Sequence, residues 1–120
     1  MRGDEQVNCA QTLSRAEAIA RLNDKLRKTG RGGQLVVTKG VTKLPGYDSR
    51  VLLEALADFD GFDADNDPHG ERDYGDIEVF GTDLLWKIDY YDLKLEFASP
   101  DAADPDITIR VLTIMLESDC

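Results

Sequence analysis

"DIEVFGTDLLWKIDYYDLKLEFAS", residues 76 to 99, decides the fold class. Ile77 and Val79, then Leu84, Trp86, Ile88 and Tyr90, then Leu93, Leu95 and Phe97 alternate with polar neighbours. A period of two puts every second side chain on one face of an extended chain, so three strands with one buried and one wet face are expected. Gly81 marks the first turn and Asp92 lies near the second, which gives an antiparallel meander.

Helices are expected on the N-terminal side of this meander. In "SRAEAIARLNDKLRKTG" (14–30), Ser14 and Glu17 have capping-box spacing and Gly30 is placed as a C-terminal cap. Ile19, Leu22 and Leu26 share one face of that helix, with Arg21, Lys25 and Lys28 opposite. "QLVVT" (34–38) reads as a short buried strand. "LPGYDSRVLLEALADF" (44–59) supplies Asp48 as a cap and Leu52, Ala55, Leu56 and Phe59 at helical spacing. In the final stretch, "SPDAADPDITIRVLTIMLESD" (99–119), Asp104 followed by Pro105 favours a helix start, while the density of β-branched residues keeps strand as the alternative. The expected fold is α+β: a single two-layer domain over 13–120 in the order α-β-α-β-β-β-α. An antiparallel sheet of about four strands would carry the helices on one face. Residues 1–12 are too polar and unpatterned to be ordered, so a disordered N-terminal segment is expected.

A chain of 120 residues is long enough for one self-sufficient core. Cys9 and Cys120 form neither a CxxC pair nor a zinc spacing, so reduced cysteines and a cytoplasmic setting are expected. The opening lacks an apolar run of signal-peptide length and no later segment approaches roughly 18 apolar residues, so a soluble chain without a membrane span is expected. The formal charge of −10 is unevenly spread: residues 1–50 carry +5 and residues 51–120 carry −15. A field of that sign repels nucleic acid and anionic membranes, and favours a basic protein partner.

The charge concentrates in "DFDGFDADNDPHGERDYGD" (58–76), which holds eight carboxylates, the only histidine and one arginine. Asp63, Asp65 and Asp67 have the 1-3-5 spacing of a calcium loop, but Pro68 stands where the turn glycine belongs and Tyr74 where the bidentate glutamate belongs. Starting at Asp65 aligns Gly70 and Asp76 but puts His69 at position five, where a hard cation prefers oxygen. A transition-metal module or metal-dependent hydrolase would use Asp67, His69, Glu71 and Asp73, a thin ligand set with one imidazole. The plainest alternative is a helix-to-strand connection whose turns are built by Asn66, Asp67, Pro68 and Gly70. A third reading takes the carboxylates together as a nucleic-acid-like negative surface that occupies a basic groove.

Other motifs carry less. "TGRGGQ" (29–34) follows a helix and precedes a strand, the reverse of a phosphate cradle, so Arg27, Lys28 and Arg31 are expected to complement the helix dipole. On the same helix, the spacings Glu17–Arg21 and Asp24–Lys28 suit solvated ion pairs. In "LLWKIDYYD" (84–92), Trp86 and Tyr90 belong to the core face, while Tyr91 shares the wet face with Lys87 and Asp89 and could anchor a partner. The serines have no adjacent base and neither cysteine has a nearby His, so no activated nucleophile is evident and no cofactor is implied.

"LNDKLRKTGRGGQLVVTKGV" (22–41), "NDPHGERDYG" (66–75), "LLWKIDYYD" (84–92) and "RVLTIML" (110–116) together resemble a family of small uncharacterised bacterial proteins, domain of unknown function 3768. The resemblance brings no activity or catalytic residues. It implies a gene carried on mobile elements, beside DNA-processing and anti-restriction functions. The combined expectation is a non-enzymatic acidic protein of anti-CRISPR or anti-restriction type. It would bind a basic surface of a nucleic-acid-binding protein or defence nuclease through Asp60, Asp63, Asp65, Asp67, Glu71, Asp73 and Tyr91. Direct contact with nucleic acid is not expected, and an exposed edge strand or the apolar final segment could pair a second copy.

Overall fold

The computed structural model describes residues 14–119; Cys9, Cys120 and the segment 1–12 lie outside them. The chain opens with α1 (Arg15–Thr29), where the Ser14 hydroxyl accepts the Glu17 amide at 3.0 Å and Gly30, at φ 75°, closes the C-terminus through its amide to the Leu26 carbonyl. Ile19, Ala20, Asn23, Leu26 and Arg27 form its buried face. There follow β1 (Gln34–Val37), a single turn α2 (Lys39–Thr42) and α3 (Ser49–Asp58), which Asp48 caps by accepting the Arg50 amide at 2.9 Å. The strands β2 (Tyr74–Val79), β3 (Thr82–Tyr91) and β4 (Ile109–Leu116) complete a sheet in the order β1-β4-β3-β2.

The α+β class and the four-strand count agree with the sequence reading, and two of the expected elements do not. "LKLEFAS" is not a third meander strand: beyond Asp92 the chain turns, and Leu93, Leu95 and Phe97 are exposed. The cause is local and topological. Asp92 accepts the Lys94 and Glu96 amides on its carboxylate, removing two donors from any ladder, and both edges of β3 are already taken, by β2 and β4. The final segment is strand β4 and not a helix. Asp104 and Pro105 start only a 3-10 turn, Pro105–Ile107, before Thr108 returns to extended backbone. The β-branched run then fills the central slot of the sheet, antiparallel to β3 and parallel to β1, so the sheet is mixed where an all-antiparallel one was expected. The observed order is α-β-α-α-β-β-β.

Alternation on the two central strands sets the layers. Leu84, Trp86 and Ile88 of β3, with Leu112 and Ile114 of β4 and Ile77 of β2, meet Leu26 of α1 and Leu52 and Leu56 of α3 in one core. The outward set on β3, Asp83, Leu85, Lys87, Asp89 and Tyr91, is exposed or half-buried.

Gly75 on β2 is the closest approach in this packing. A Cβ there would stand 2.7 Å from Phe59 Cζ and 2.8 Å from Trp86 Nε1, two rings packed edge-on that cannot retreat without opening the core. Gly75→Ala is expected to cost about 1–3 kcal/mol by overpacking. Gly61→Ala, whose Cβ would meet Phe59 at an ordinary 3.5 Å, should be near neutral. Urea unfolding of the two variants beside the parent tests the difference, and equal midpoints would contradict this account of the packing.

Candidate functional site

The acidic connection between α3 and β2 is held in place by charge. The Arg27 guanidinium, buried at the base of α1, donates to the carbonyls of Leu56 and Ala57 at 3.1 Å each and of Phe59 at 2.8 Å, and to Asp24 at 3.2 Å. It thus neutralises the C-terminal end of α3, not that of its own helix as the sequence suggested. Its flat face lies over the rings of Phe62 at 5.4 Å and Trp86 at 5.9 Å. Phe59 and Phe62 each meet Trp86 edge-on, which anchors the start of the connection to the core.

The end of the connection is anchored the same way. Arg72 reaches back to Asp24, with Nε 3.0 Å from both carboxylate oxygens and Nη2 at 2.8 Å, so Asp24 serves Arg27 and Arg72 rather than Lys28. The hydrogen bond to Asp24 pushes the Arg72 pKa up. The geometry holds Arg72 at φ 54°, a strained value for a side-chain-bearing residue, while Asp67 accepts its amide at 2.9 Å. Next door, the Tyr90 hydroxyl donates to Glu71 Oε1 at 2.9 Å and accepts from Asn23 at 2.8 Å. Asn23 in turn accepts from the buried Arg110 at 2.9 Å, and Arg110 also donates to the Ala102 carbonyl. Burial pushes the Tyr90 hydroxyl pKa well up and the Arg110 pKa down.

These contacts divide the acids of the run. Asp67, Glu71 and Asp73 are half-buried and turned into the fold; Asp60, Asp63 and Asp65 are exposed. Asp63 also shapes its own turn, accepting the amides of Asp65 at 2.9 Å and Asn66 at 3.1 Å. His69 is exposed on the outside of the next turn. Among the described residues no group of three His, Cys, Asp or Glu converges so as to hold a metal ion. Tyr91 is half-buried, paired with Ile109 near the far end of β3.

The exposed acids meet others that the sequence reading did not single out. Asp63, Asp65 and Asn66 face Tyr74, Asp76, Leu85 and Glu117 around an open cleft of about 620 Å³. Glu78 continues the row from Asp76 along β2 and stands directly opposite Asp83 of β3. Like charges facing each other across a ladder oppose the fold. Strand alternation already put Asp76, Glu78 and Asp83 on one wet face, a usable signal. Glu117 joins them only because the last segment is a strand. The result is an open, negatively charged surface with Tyr74 and Leu85 as its apolar floor; the described residues offer no nucleophile–base pair there.

No described helix is long and apolar enough to cross a membrane. One family model, described as "Protein of unknown function (DUF3768)", matches residues 37–119. No curated protein and no solved structure matches the chain.

Asp73 gives the connection a measurable pH signature. Burial first, then the neighbouring Glu71 and Asp67 charges, raise its folded-state pKa. The folded chain therefore binds this proton more tightly than the unfolded chain, a contribution present below the unfolded pKa and lost as pH rises through the folded one. Asp73→Asn should raise Tm over the parent at pH 7 and lose that advantage near pH 3. Thermal unfolding at both pH values checks this, and an offset independent of pH would contradict it.

Proposed function

We propose, from the premise that the chain belongs to the DUF3768 family of unknown function, a role read from its own surface: a non-enzymatic interaction protein that presents fixed negative charge to a basic groove on a nucleic-acid-handling protein. The observation that carries this reading is the cleft lined by Asp63, Asp65, Asp76 and Glu117, extended by Glu78 and Asp83. Acids at alternate positions of β2 stand about 7 Å apart on a backbone fixed by its ladder, so the charges form a row instead of a mobile tail. The net charge of −10 adds long-range attraction for a cationic partner.

The partner class follows from that chemistry. A groove that normally holds phosphate is lined by Arg and Lys and accepts a row of carboxylates without rearrangement. The mobile-element setting implied by the family resemblance points to host defence nucleases of the CRISPR or restriction type, met in the cytoplasm. On this reading Asp60, Asp63 and Asp65 are the contacting acids of the run, whereas Asp67 and Glu71 hold the connection in shape.

The test is a cleavage assay with purified CRISPR effector and restriction nucleases, comparing the parent with Asp65→Asn/Asp76→Asn/Glu78→Gln/Glu117→Gln. None of these four side chains serves as a hydrogen-bond acceptor in the contacts described above, and the change removes the Glu78–Asp83 repulsion, so folding should be retained or improved. The parent is expected to inhibit at least one nuclease, with inhibition weakened about tenfold or more in the variant and relieved by salt. Undiminished inhibition by the variant, or no inhibition by the parent, would overturn the proposal.

A further inference from the structure

The segment between β3 and β4 does something the sheet does not require. Leu93, Leu95 and Phe97 are 59%, 46% and 72% exposed, three large apolar side chains within five residues. A mobile loop could fold such residues down onto itself; this one is pinned open. Asp92 accepts the Lys94 amide at 3.1 Å and the Glu96 amide at 3.0 Å on its carboxylate, and its own amide donates to the Phe97 carbonyl at 2.8 Å. The Leu95 amide returns to the Asp92 carbonyl at 3.0 Å, the Ser99 amide to the Tyr90 carbonyl at 3.0 Å, and Tyr91 bridges Ala98. Leu95 is held at φ 58°, a conformation that costs free energy for a side-chain-bearing residue. The backbone N–H groups aimed at Asp92 keep its carboxyl below the usual carboxylate range, so the pin persists at neutral pH.

Behind these side chains, Leu93, Phe97, Pro100 and Ile107 form the apolar lining of a groove of about 380 Å³, with Asp92, Lys94 and Glu96 at its charged edge. Its surroundings are acidic: from Asp92 to Ile107 the chain carries five carboxylates against the single cation Lys94. Of these, Asp101 is occupied by Arg15 at 3.1 Å, Glu96 is exposed at the groove, and Asp106 is exposed next to the lining residue Ile107 in sequence. An apolar groove rimmed by negative charge is complementary to apolar side chains flanked by positive ones. Against a second copy of this chain the same rims would repel.

We infer that the β3–β4 connection is a docking surface for a basic amphipathic segment of a partner protein, with Leu93 and Phe97 as its apolar anchors. It is separate from the acidic cleft and stands or falls without it: Leu85, at the cleft, and Tyr91, at this loop, are six residues apart on β3, about 20 Å.

Fluorescence anisotropy with a labelled synthetic helix of Leu and Lys in amphipathic order, and its Leu/Glu counterpart, tests the inference with the full chain in physiological salt. The Leu/Lys peptide should bind, and the Leu/Glu peptide should not. Leu93→Ser/Phe97→Ser should weaken binding about tenfold or more, since both side chains are solvent-exposed and their loss leaves the core intact. Glu96→Gln/Asp106→Asn should weaken it severalfold and reduce its salt dependence. The variant with Asp65, Asp76, Glu78 and Glu117 neutralised should bind through the groove as the parent does apart from a general salt-screened loss, and this separates the two surfaces. Equal affinity for both peptides, no binding of the Leu/Lys peptide, or binding unchanged in Leu93→Ser/Phe97→Ser would overturn the inference. So would a parent dimer in sedimentation that the same double variant dissociates, because a second copy would then own the groove.

Discussion

One guanidinium organises this molecule. Arg27 sits where the end of α3, the face of α1 and the ring of Trp86 converge, and its Nη1 donates to three backbone carbonyls there, of which that of Leu56 also accepts the Phe59 amide, while its Nε has no partner among the described residues. A cation taken this far from water is costly unless its donors are used and a negative partner is near. The helix end supplies partial negative charge and Asp24 supplies the rest. Because Asp24 also holds Arg72, a single carboxylate on α1 links the beginning and the end of the acidic connection. The connection departs from Phe59 and returns at Arg72 with both ends tied to the same helix. Its tip is therefore presented at a fixed place beside β2.

That arrangement sorts negative charge by task. Three acids that face inward have partners: Asp67 holds an amide, Glu71 a tyrosine hydroxyl, Asp24 two arginines. The exposed row of Asp65, Asp76, Glu78 and Glu117 adds nothing to the core, and Glu78 faces Asp83 in a pairing that works against the ladder. Lys87, the nearest strand cation, is engaged with Asp89 at 3.1 Å. A surface arranged against its own stability has a physical rationale when an external cation completes it, and this is the ground on which an interaction role rests.

The sequence was legible wherever one periodicity acted alone. Ser14, Glu17 and Gly30 bounded α1 correctly, Asp48 marked the start of α3, and the alternation through Ile77, Val79, Leu84, Trp86 and Ile88 assigned the β2–β3 hairpin and its buried face. It misled where two signals competed. Leu93, Leu95 and Phe97 continue the strand pattern, but an Asp at the turn captured the amides that pairing would need. The Asp104–Pro105 pair is a true cap on a helix that lasts three residues, because the β-branched segment behind it gains more as the central strand. Long-range partners were invisible by nature. Nothing local distinguishes Arg27, which lies buried against α3, from Lys28, which is exposed, and Asn23 reads as polar surface until Tyr90, Glu71 and Arg110 close around it. The candidate surface suffered the same limit: acids adjacent in sequence were visible as a run, whereas their companions on β2, β3 and after β4 became neighbours only through the sheet.

Preorganisation links the two surfaces more than proximity does. Ordering a loop on binding consumes part of the interaction free energy, about 0.5–1.5 kcal/mol for each immobilised side chain. Here the ordering is complete before any partner arrives. The acidic tip is held by Arg27, Arg72 and the Asp63 turn, and the apolar loop is held by Asp92. The apolar loop joins β3 to β4, and the acidic cleft is bordered by Leu85 of β3 and Glu117 just after β4, the two longest strands, whose mutual ladder runs unbroken from Leu84 and Leu116 to Tyr91 and Ile109. That ladder fixes the spacing between the two surfaces. Were one partner to engage both proposed surfaces, the sheet would fix the spacing of its two contacts, and the second would gain from the effective concentration set by the first.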